Sequence, residues 1–562
     1  MECSQPYAPR RVHCHCPRLA LHSRALPSAF VHPKTRAGKD VRFLLRNLCL
    51  LAGLIATLTS GSLVSAERNA NGSSPQAKPN ILFIFSDDHA YQALSAYSDD
   101  LIQTPNIDRI AKAGMRFDRC YVTNSICGPM RAVIQTGKYS HKNGFIHNGN
   151  KFDGNQWTFP KALQKAGYQT AVVGKWHLGQ HQAPQGFDYS EVLIGQGPYY
   201  NPPMLQDLQG DGQRTKAANE GYTTNIITDK AIDWLENRRN KDRPFMLMFQ
   251  HKAPHREWLP GPDHLDTFAN PNFPVPETYF EDYSQMVKPR QQQEMTVANH
   301  MRPAADMKID WAPRNMTPSQ REAFLKAFEE ENEAYKKALP EMDDRDKALW
   351  NYQRYMRIYL ASIQSLDDNV GRMLDYMEES GLNENTIIMY CSDQGFYLGE
   401  HGWYDKRWVY EQSLRTPFLV QWPGQVAEGV VNSTDIVSPL DFATTFCELA
   451  GAETPTDLDG RSLLPVFRGE TPKDWRKDFY YHYYEFPAVH SVRRHYAVVD
   501  GRYKLIHFYE SDVDQWELID LVEDPLEQKN FYDQPEYQEV QQKLASRLKE
   551  LRASLQVPED DQ

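Results

Sequence analysis

Four short, unbroken apolar runs stand out in the pattern of hydrophobic and polar positions: residues 81–85, 170–173, 245–249 and 386–390. None alternates apolar with polar residues, so each predicts a strand buried on both faces. Helix signals lie between them. Thr104-Pro105-Asn106-Ile107 predicts a helix start, with Thr as N-cap and Pro in the first turn, and Gly114 predicts its end. Thr158-Phe159-Pro160 through Gly167 repeats that grammar. Pro129 and Gly137 frame another helix, which puts Cys127 at its N-terminus. Unbroken apolar strands separated by helices predict an α/β fold, with a large, mainly parallel sheet sandwiched by helices.

Each run also ends in reactive residues. The first leads into Ser86-Asp87-Asp88-His89 and the second into Gly174-Lys175-Trp176-His177. The third leads into Gln250-His251, with His255 close behind, and the fourth into Cys391-Ser392-Asp393-Gln394-Gly395. Ligands in open α/β sheets sit beyond the carboxyl ends of the strands. The pattern therefore predicts carboxylates, a lysine and histidines gathered at one edge.

The rest of the chain divides by composition. Residues 260–345 are polar and predict an insertion, with a helix opened by Thr317-Pro318 and running to about Ala338. From Pro472 onward aromatics cluster in Phe479-Tyr480-Tyr481-His482-Tyr483-Tyr484. Strand-like runs follow at 496–499 and 504–508, then Trp516-Glu517-Leu518-Ile519-Asp520 precedes Asp524-Pro525, and a closing helix spans roughly 535–555. We expect a catalytic domain over 80–465 and a smaller α+β C-terminal subdomain over 466–562. Residues 67–79 read as a flexible lead-in. Before them, Arg42 and Arg46 flank an apolar stretch at 48–58, and Val64-Ser65-Ala66 precedes Glu67. This is the layout of a secretory signal, too short and glycine-interrupted for a membrane span. Residues 1–40 lack any periodicity, and a start at Val41 would put the signal first. Residues 1–66 thus read as an N-terminal extension and signal peptide, with the mature protein secreted or periplasmic and not inserted in a membrane.

With 41% hydrophobic and 24% charged residues, the 562-residue chain has an ordinary globular composition. Its net charge of -12 argues against nucleic acid as a partner. An anionic substrate must then be met by clustered Lys, Arg and His. Of eight cysteines, only Cys120, Cys127, Cys391 and Cys447 follow the signal, too few for a disulfide framework and wrongly spaced for zinc.

A cysteine at a helix N-terminus sits where backbone N–H groups favour an anion, and Arg131 lies one turn on. Taken alone, a buried structural cysteine fits as well. Asp87-Asp88 taken alone fits a solvated turn. Asp393-Gln394 at a second strand end turns the balance toward a site for a hard cation, because such ions take several oxygen ligands.

The segment Cys127-Gly128-Pro129-Met130-Arg131 contains Cys-x-Pro-x-Arg. With it come Asp87-Asp88, Thr136-Gly137-Lys138, Gly174-Lys175-Trp176-His177-Leu178-Gly179 and His251-Lys252-Ala253-Pro254-His255. Ser392-Asp393-Gln394-Gly395, Gly399-Glu400-His401-Gly402, Lys406 and Arg415-Thr416-Pro417 complete the series. In this order the motifs resemble the type I, formylglycine-dependent sulfatases of the alkaline phosphatase-like superfamily. The resemblance runs from about Asn80 to about Leu555. It is nearest to bacterial N-acetylglucosamine-6-sulfatases and mucin-desulfating sulfatases.

The resemblance implies that a formylglycine-generating enzyme oxidises Cys127 to formylglycine (3-oxoalanine). It implies one Ca2+ per chain, held by Asp87, Asp88, Asp393, Gln394 and the modified Cys127. One hydroxyl of the hydrated aldehyde would attack sulfur, and the other would then expel sulfate. His177 would be the base for that expulsion. Lys175 and Lys406 would neutralise sulfate oxygens. His255 would protonate the departing sugar oxygen. Arg131 would orient the modified residue and the acids. For the sulfated carbohydrate itself, aromatic and basic side chains are expected. The candidates are His251, Trp258, His490, Arg493 and Arg494, with Tyr199, Tyr200, His482, Glu485 and His89 behind them. Two positions depart from the family pattern: Met130 replaces the usual Ser, and Gln394 a frequent Asn. Other readings are a sulfatase for iduronate or algal polysaccharide, a phosphonate or phosphate monoesterase, and a silent carbohydrate-binding protein.

Overall fold

The four apolar runs lie side by side at the centre of one ten-stranded sheet. In chain order its strands are β1 (Asn80–Ser86), β2 (Met115–Phe117), β3 (Gln169–Gly174), β4 (Tyr189–Leu193), β5 (Met204–Asp207), β6 (Thr215–Ala217), β7 (Phe245–Gln250) and β8 (Thr386–Ser392). A two-stranded ribbon follows, β9 (Tyr397–Leu398) with β10 (Tyr404–Asp405). Then β11 (Phe418–Gln421) and β12 (Val430–Asn432) rejoin the sheet, whose order is β12-β2-β11-β8-β1-β7-β3-β4-β5-β6. The run β8-β1-β7-β3-β4 is parallel throughout. The flanking pairs β8-β11, β11-β2, β4-β5 and β5-β6 are antiparallel. This computed structural model describes residues 78–179 and 183–559. The expected extension and signal (1–66) and the lead-in up to residue 77 lie outside the described residues. No helix among the described residues is long and apolar enough to cross a membrane.

Burial explains the central strands. Along β1, Leu82 and Ile84 enter one core, while Ile81, Phe83 and Phe85 enter the other. Both faces are covered, so alternation with polar residues has no place. Each such side chain contributes about 1.5–3 kcal/mol of burial. Register then levels the strand ends. Phe85 pairs with Gln250 and with Cys391, and Gly174 pairs with Gln250. Asp87, Lys175, His251 and Asp393 therefore emerge together at one edge of the sheet.

The helix Cys127–Thr136 starts at the expected cysteine and closes on Gly137, at φ 64° with its N–H bonded to the Val133 carbonyl. Thr317 caps the insertion helix Pro318–Ala338 in a capping box. The first helix departs from expectation. It begins at Ile107, and its first amides are held by a distant acid rather than by the Thr104 side chain, whose residue offers only its carbonyl, to the Asp108 N–H at 3.0 Å. The Asp367 carboxylate accepts from Asn106 and Ile107 at 3.2 and 2.8 Å. Asp367 lies on the 36-residue helix Asp344–Glu379, an element with no apolar run to announce it. It buries Arg354, Arg357, Asp367 and several tyrosines.

Residues 75–562 form one compact unit. Its C-terminal part carries a second, four-stranded antiparallel sheet of β13 (Phe479–Tyr483), β14 (His495–Val499), β15 (Tyr503–Glu510) and β16 (Val513–Asp520). The last helix is Gln538–Ser554.

Candidate active site

Three carboxylates meet where β1 and β8 end. Asp87, Asp88 and Asp393 are each fully buried and offer oxygens within 4.8 Å of one another. Cys127 Sγ, Asp87 and His255 form a second grouping within the same limit. Among the described residues such groupings occur only here. Cations close around the acids. Arg131 reaches Asp87 at 3.4 Å and Asp393 at 3.3 Å, and donates to the Lys175 carbonyl at 2.8 Å. Lys175 pairs with Asp87, and Lys406 with Asp88 at 2.5 Å. The Gln394 amide donates to Asp88, and the Asp88 amide donates to Asp393 at 3.1 Å.

These contacts leave particular oxygens over. Asp87 Oδ1, Asp88 Oδ2 and Gln394 Oε1 are buried without a hydrogen bond, while Asp87 Oδ2 is the oxygen that Arg131 and Lys175 hold. Three converging carboxylates with a carboxamide beside them are the kind of hard-oxygen donor set that a calcium-like cation takes. Gln394 would offer such a set its carbonyl oxygen, as Asn would.

Burial and neighbouring charge set the protonation states. Burial pushes the Asp88 carboxyl up to about 7, against the pull of Lys406. Burial works against the Lys406 ammonium, but Asp88 and Asp405 outweigh it and hold its pKa above the usual lysine value. His177 is held well below the imidazole range by burial, with Lys175 and Arg131 adding to the effect. His255 is held down in the same way by burial and by Lys175, Lys252 and Lys406. Burial raises the Cys127 thiol.

Cys127 lies at the helix N-terminus with its sulfur 3.7 Å from the Asn148 amide nitrogen, and Asn148 also accepts the Gly128 N–H at 3.1 Å. Met130 faces away, fully buried, with the Thr123 hydroxyl 3.3 Å from its sulfur. Its departure from Ser therefore leaves the site's lining unchanged. His177 sits 3.0 Å from the Gln196 amide. His255 places Nε2 3.8 Å from Asp88, and the Tyr199 hydroxyl donates to its carbonyl at 2.7 Å.

The expected sugar contacts largely lie elsewhere. His490 is buried 3.3 Å from Asp405, the residue before Lys406, with its other ring nitrogen 2.9 Å from the Glu294 carbonyl, and does not line the cavity beside His255. Trp258 is fully buried among Tyr355, Tyr359, Phe396 and Tyr404, so no face is left for a sugar. Arg493 and Arg494 are turned to Asp512 and Glu510 and do not line the cavity beside His255. His251 is fully buried against Phe249, its ring lowered by burial to about 3. His89 bonds Tyr390 and Ala93, Tyr200 bonds the Pro260 carbonyl, and His482 bonds Tyr480 and Tyr509, all inside the core. Glu485 lies 3.6 Å from Arg407.

Sequence reasoning assigned no role to Asn148, Gln196 or Lys252. Asn148 and Gln196 stand in loops with no motif around them. Lys252 was visible inside a motif, but only the fold shows which way it points. A cavity of about 670 Å³ opens beside His255 and is lined by Gln196, Tyr199, Lys252, Trp311 and Arg314 among others.

Comparison with known proteins agrees with this geometry. The family model described as Sulfatase matches residues 79–452, and that of the N-sulphoglucosamine sulphohydrolase C-terminal region matches residues 399–554. An N-acetylglucosamine-6-O-sulfatase from Bacteroides thetaiotaomicron is 46% identical over 519 residues, 88% of this chain and 90% of that protein. An ulvan-active sulfatase from Formosa agariphila is 24% identical over 89% of this chain and 87% of its own. A solved structure, in complex with its substrate D-glucosamine-2-N,6-O-disulfate, superposes with a TM-score of 0.81 at 44% identity. It covers 86% of this chain and 99% of its own. The chain belongs to the sulfatase family and is a sulfuric ester hydrolase.

Proposed function

We propose that this enzyme removes the 6-O-sulfate from N-acetylglucosamine-type sugars of sulfated glycans. In this reading Cys127 is oxidised to formylglycine by a formylglycine-generating enzyme. Calcium is held by Asp87, Asp88, Asp393 and Gln394. The observation that carries the substrate reading is the 46% identity to an N-acetylglucosamine-6-O-sulfatase along 90% of that protein. The signal-like layout of residues 42–66 supports export to the periplasm or beyond.

When bound, calcium offsets the negative charge of the sulfate oxygens, and formylglycine supplies an activated hydroxyl in place of the thiol. The chain's own residues do the rest. Lys175 and Lys406 present ammonium groups to the same oxygens. Arg131 keeps Asp87 and Asp393 converged. His177 stays neutral at physiological pH, so a ring nitrogen is free to take a proton. His255 faces the cavity and is placed to give a proton to the departing sugar oxygen. Burial is the main cause of its low pKa and the lysines add to it; a bound sulfate ester would counter the lysines' share and so favour the protonated ring.

The test is sulfate release from N-acetylglucosamine 6-sulfate set beside N-acetylgalactosamine 6-sulfate, iduronate 2-sulfate, an aryl phosphate and a phosphonate ester. We expect the first to be cut best. Preference for the phosphate or phosphonate would overturn the sulfate reading, and preference for another sugar the finer one. Mass spectrometry of the peptide containing residue 127 should find the aldehyde. An unmodified cysteine, with sugar binding and no release, would make the chain a silent binder.

A further inference from the structure

The cavity beside His255 is walled on one side by the insertion, through Arg302, Trp311 and Arg314. Its volume of about 670 Å³ falls within the usual range for small-molecule sites. The wall is held firmly. Buried Asp306 accepts from Arg256 at 2.9 Å and pairs with Arg302 at 3.0 Å. Lys308 donates to the Glu257 carbonyl at 3.2 Å and lies 5.3 Å from the centre of the Trp311 ring.

The cations on this wall are not equivalent. Arg256 and Arg302 are committed to Asp306, and Arg302 also to Glu257, the one acid lining the cavity. Lys252 and Arg314 have no carboxylate within ion-pair distance among the described residues. Arg314 is exposed at the rim. Lys252 is only 4% exposed, and its ammonium finds just the Arg256 carbonyl at 3.5 Å and the face of Tyr199. A buried ammonium without a counter-ion is costly. Burial lowers it to about 8, so it keeps its charge at neutral pH. Its position in the cavity lets a ligand supply the missing negative charge.

We propose that Lys252 and Arg314 form a subsite for a second anionic group on the glycan, separate from the sulfate ester that is cut. The proposal rests on the 6-O-sulfate reading above. Two sources share this chemistry: an N-sulfate on the same sugar, and the carboxylate of a neighbouring uronic acid.

The experiment compares kcat/KM for glucosamine 6-sulfate, its 2-N-sulfated form, and a disaccharide joining the 6-sulfated sugar to a uronic acid. The wild-type enzyme should favour one of the doubly charged substrates, and that one identifies the source. In Lys252→Ala and Arg314→Ala, KM for that substrate should rise roughly 10- to 100-fold, erasing its advantage. Equal weakening for all substrates would overturn the proposal, since the cations would then serve the scissile sulfate. So would an unchanged preference. Titration with glucosamine 2-N-sulfate and with the unsulfated uronic-acid disaccharide reads the subsite without turnover. Tighter binding to the wild type than to both variants upholds it even if 6-O-sulfate proves the wrong ester. Equal binding overturns it.

Discussion

Two of the molecule's buried ion clusters differ in how like charges are arranged. At the sheet edge, Asp87, Asp88 and Asp393 converge on one point, with cations around the outside. In the C-terminal half, Lys504 stands between Glu411 and Glu527 at 2.7 Å from each, and Arg290 lies between Glu281 at 3.0 Å and Glu517 at 4.0 Å. Perturbed protonation does not separate the two, since burial drives both Asp88 and Glu527 up to about 7. Geometry does. Interleaved charges are self-sufficient, whereas converged carboxylates repel and want a cation between them. A strained pKa marks burial; convergence of like charge marks function.

The largest expected effect breaks the sheet-edge cluster. Cys127→Ala should lower kcat/KM by about 10⁴-fold or more, as loss of a nucleophile does. The melting temperature should stay close to that of the wild type. Retained activity would remove the nucleophile from the account. Next come the proton carriers. His177→Ala and His255→Ala should each cost about 10²- to 10⁴-fold in kcat. An activated aryl sulfate, whose leaving group needs no proton, should rescue the second variant and not the first. Rescue of both, or of neither, would contradict the division of roles.

The interleaved cluster should respond in the opposite sense. Lys504→Met strands Glu411 and Glu527 and should cost about 3–5 kcal/mol of stability. The molecules that remain folded should turn over substrate at nearly the wild-type rate. A smaller effect, shallower stability dependence on pH, is expected of Glu527→Gln. Glu527 has an ordinary value of 4.5 and a folded value of about 7. Between these the folded chain holds a proton that the unfolded chain has lost. Its contribution is full below about pH 4.5 and fades as pH rises through about 7. Removing it should flatten the fall in melting temperature between about pH 5 and about pH 7.5. Asp88 has the same sign and leaves a residual slope. An unaltered slope would place Glu527's proton elsewhere.

Much of this was readable from the chain. Strands buried on both faces are unbroken apolar runs, and the residues after them must share an edge once the strands pair in register. Asp87, Lys175, His177, His255 and Asp393 were found that way. The helix Asp344–Glu379 was not, because its buried apolar residues, such as Ile358, Leu366 and Met373, are mixed with buried arginines, tyrosines and Asp367 that blur the pattern. The short antiparallel strands β5 and β6 carry too few buried residues for their pattern to show. Trp258 misled because an aromatic side chain is an expected sugar platform, and only tertiary packing reveals that its faces are covered. Lys252 and Arg314 acquire meaning only when a cavity and the lack of a carboxylate within ion-pair distance among the described residues are seen together.

Sulfate release from 6-O-sulfated N-acetylglucosamine, followed while calcium is chelated and then restored, probes the converged carboxylates most directly. The wild-type protein should fall silent on chelation and recover with calcium, with a matching loss and gain in melting temperature. The Asp87→Asn/Asp393→Asn protein should stay folded, inactive and indifferent to the ion. Undiminished release by that double variant in chelator would show that these acids hold nothing the reaction needs.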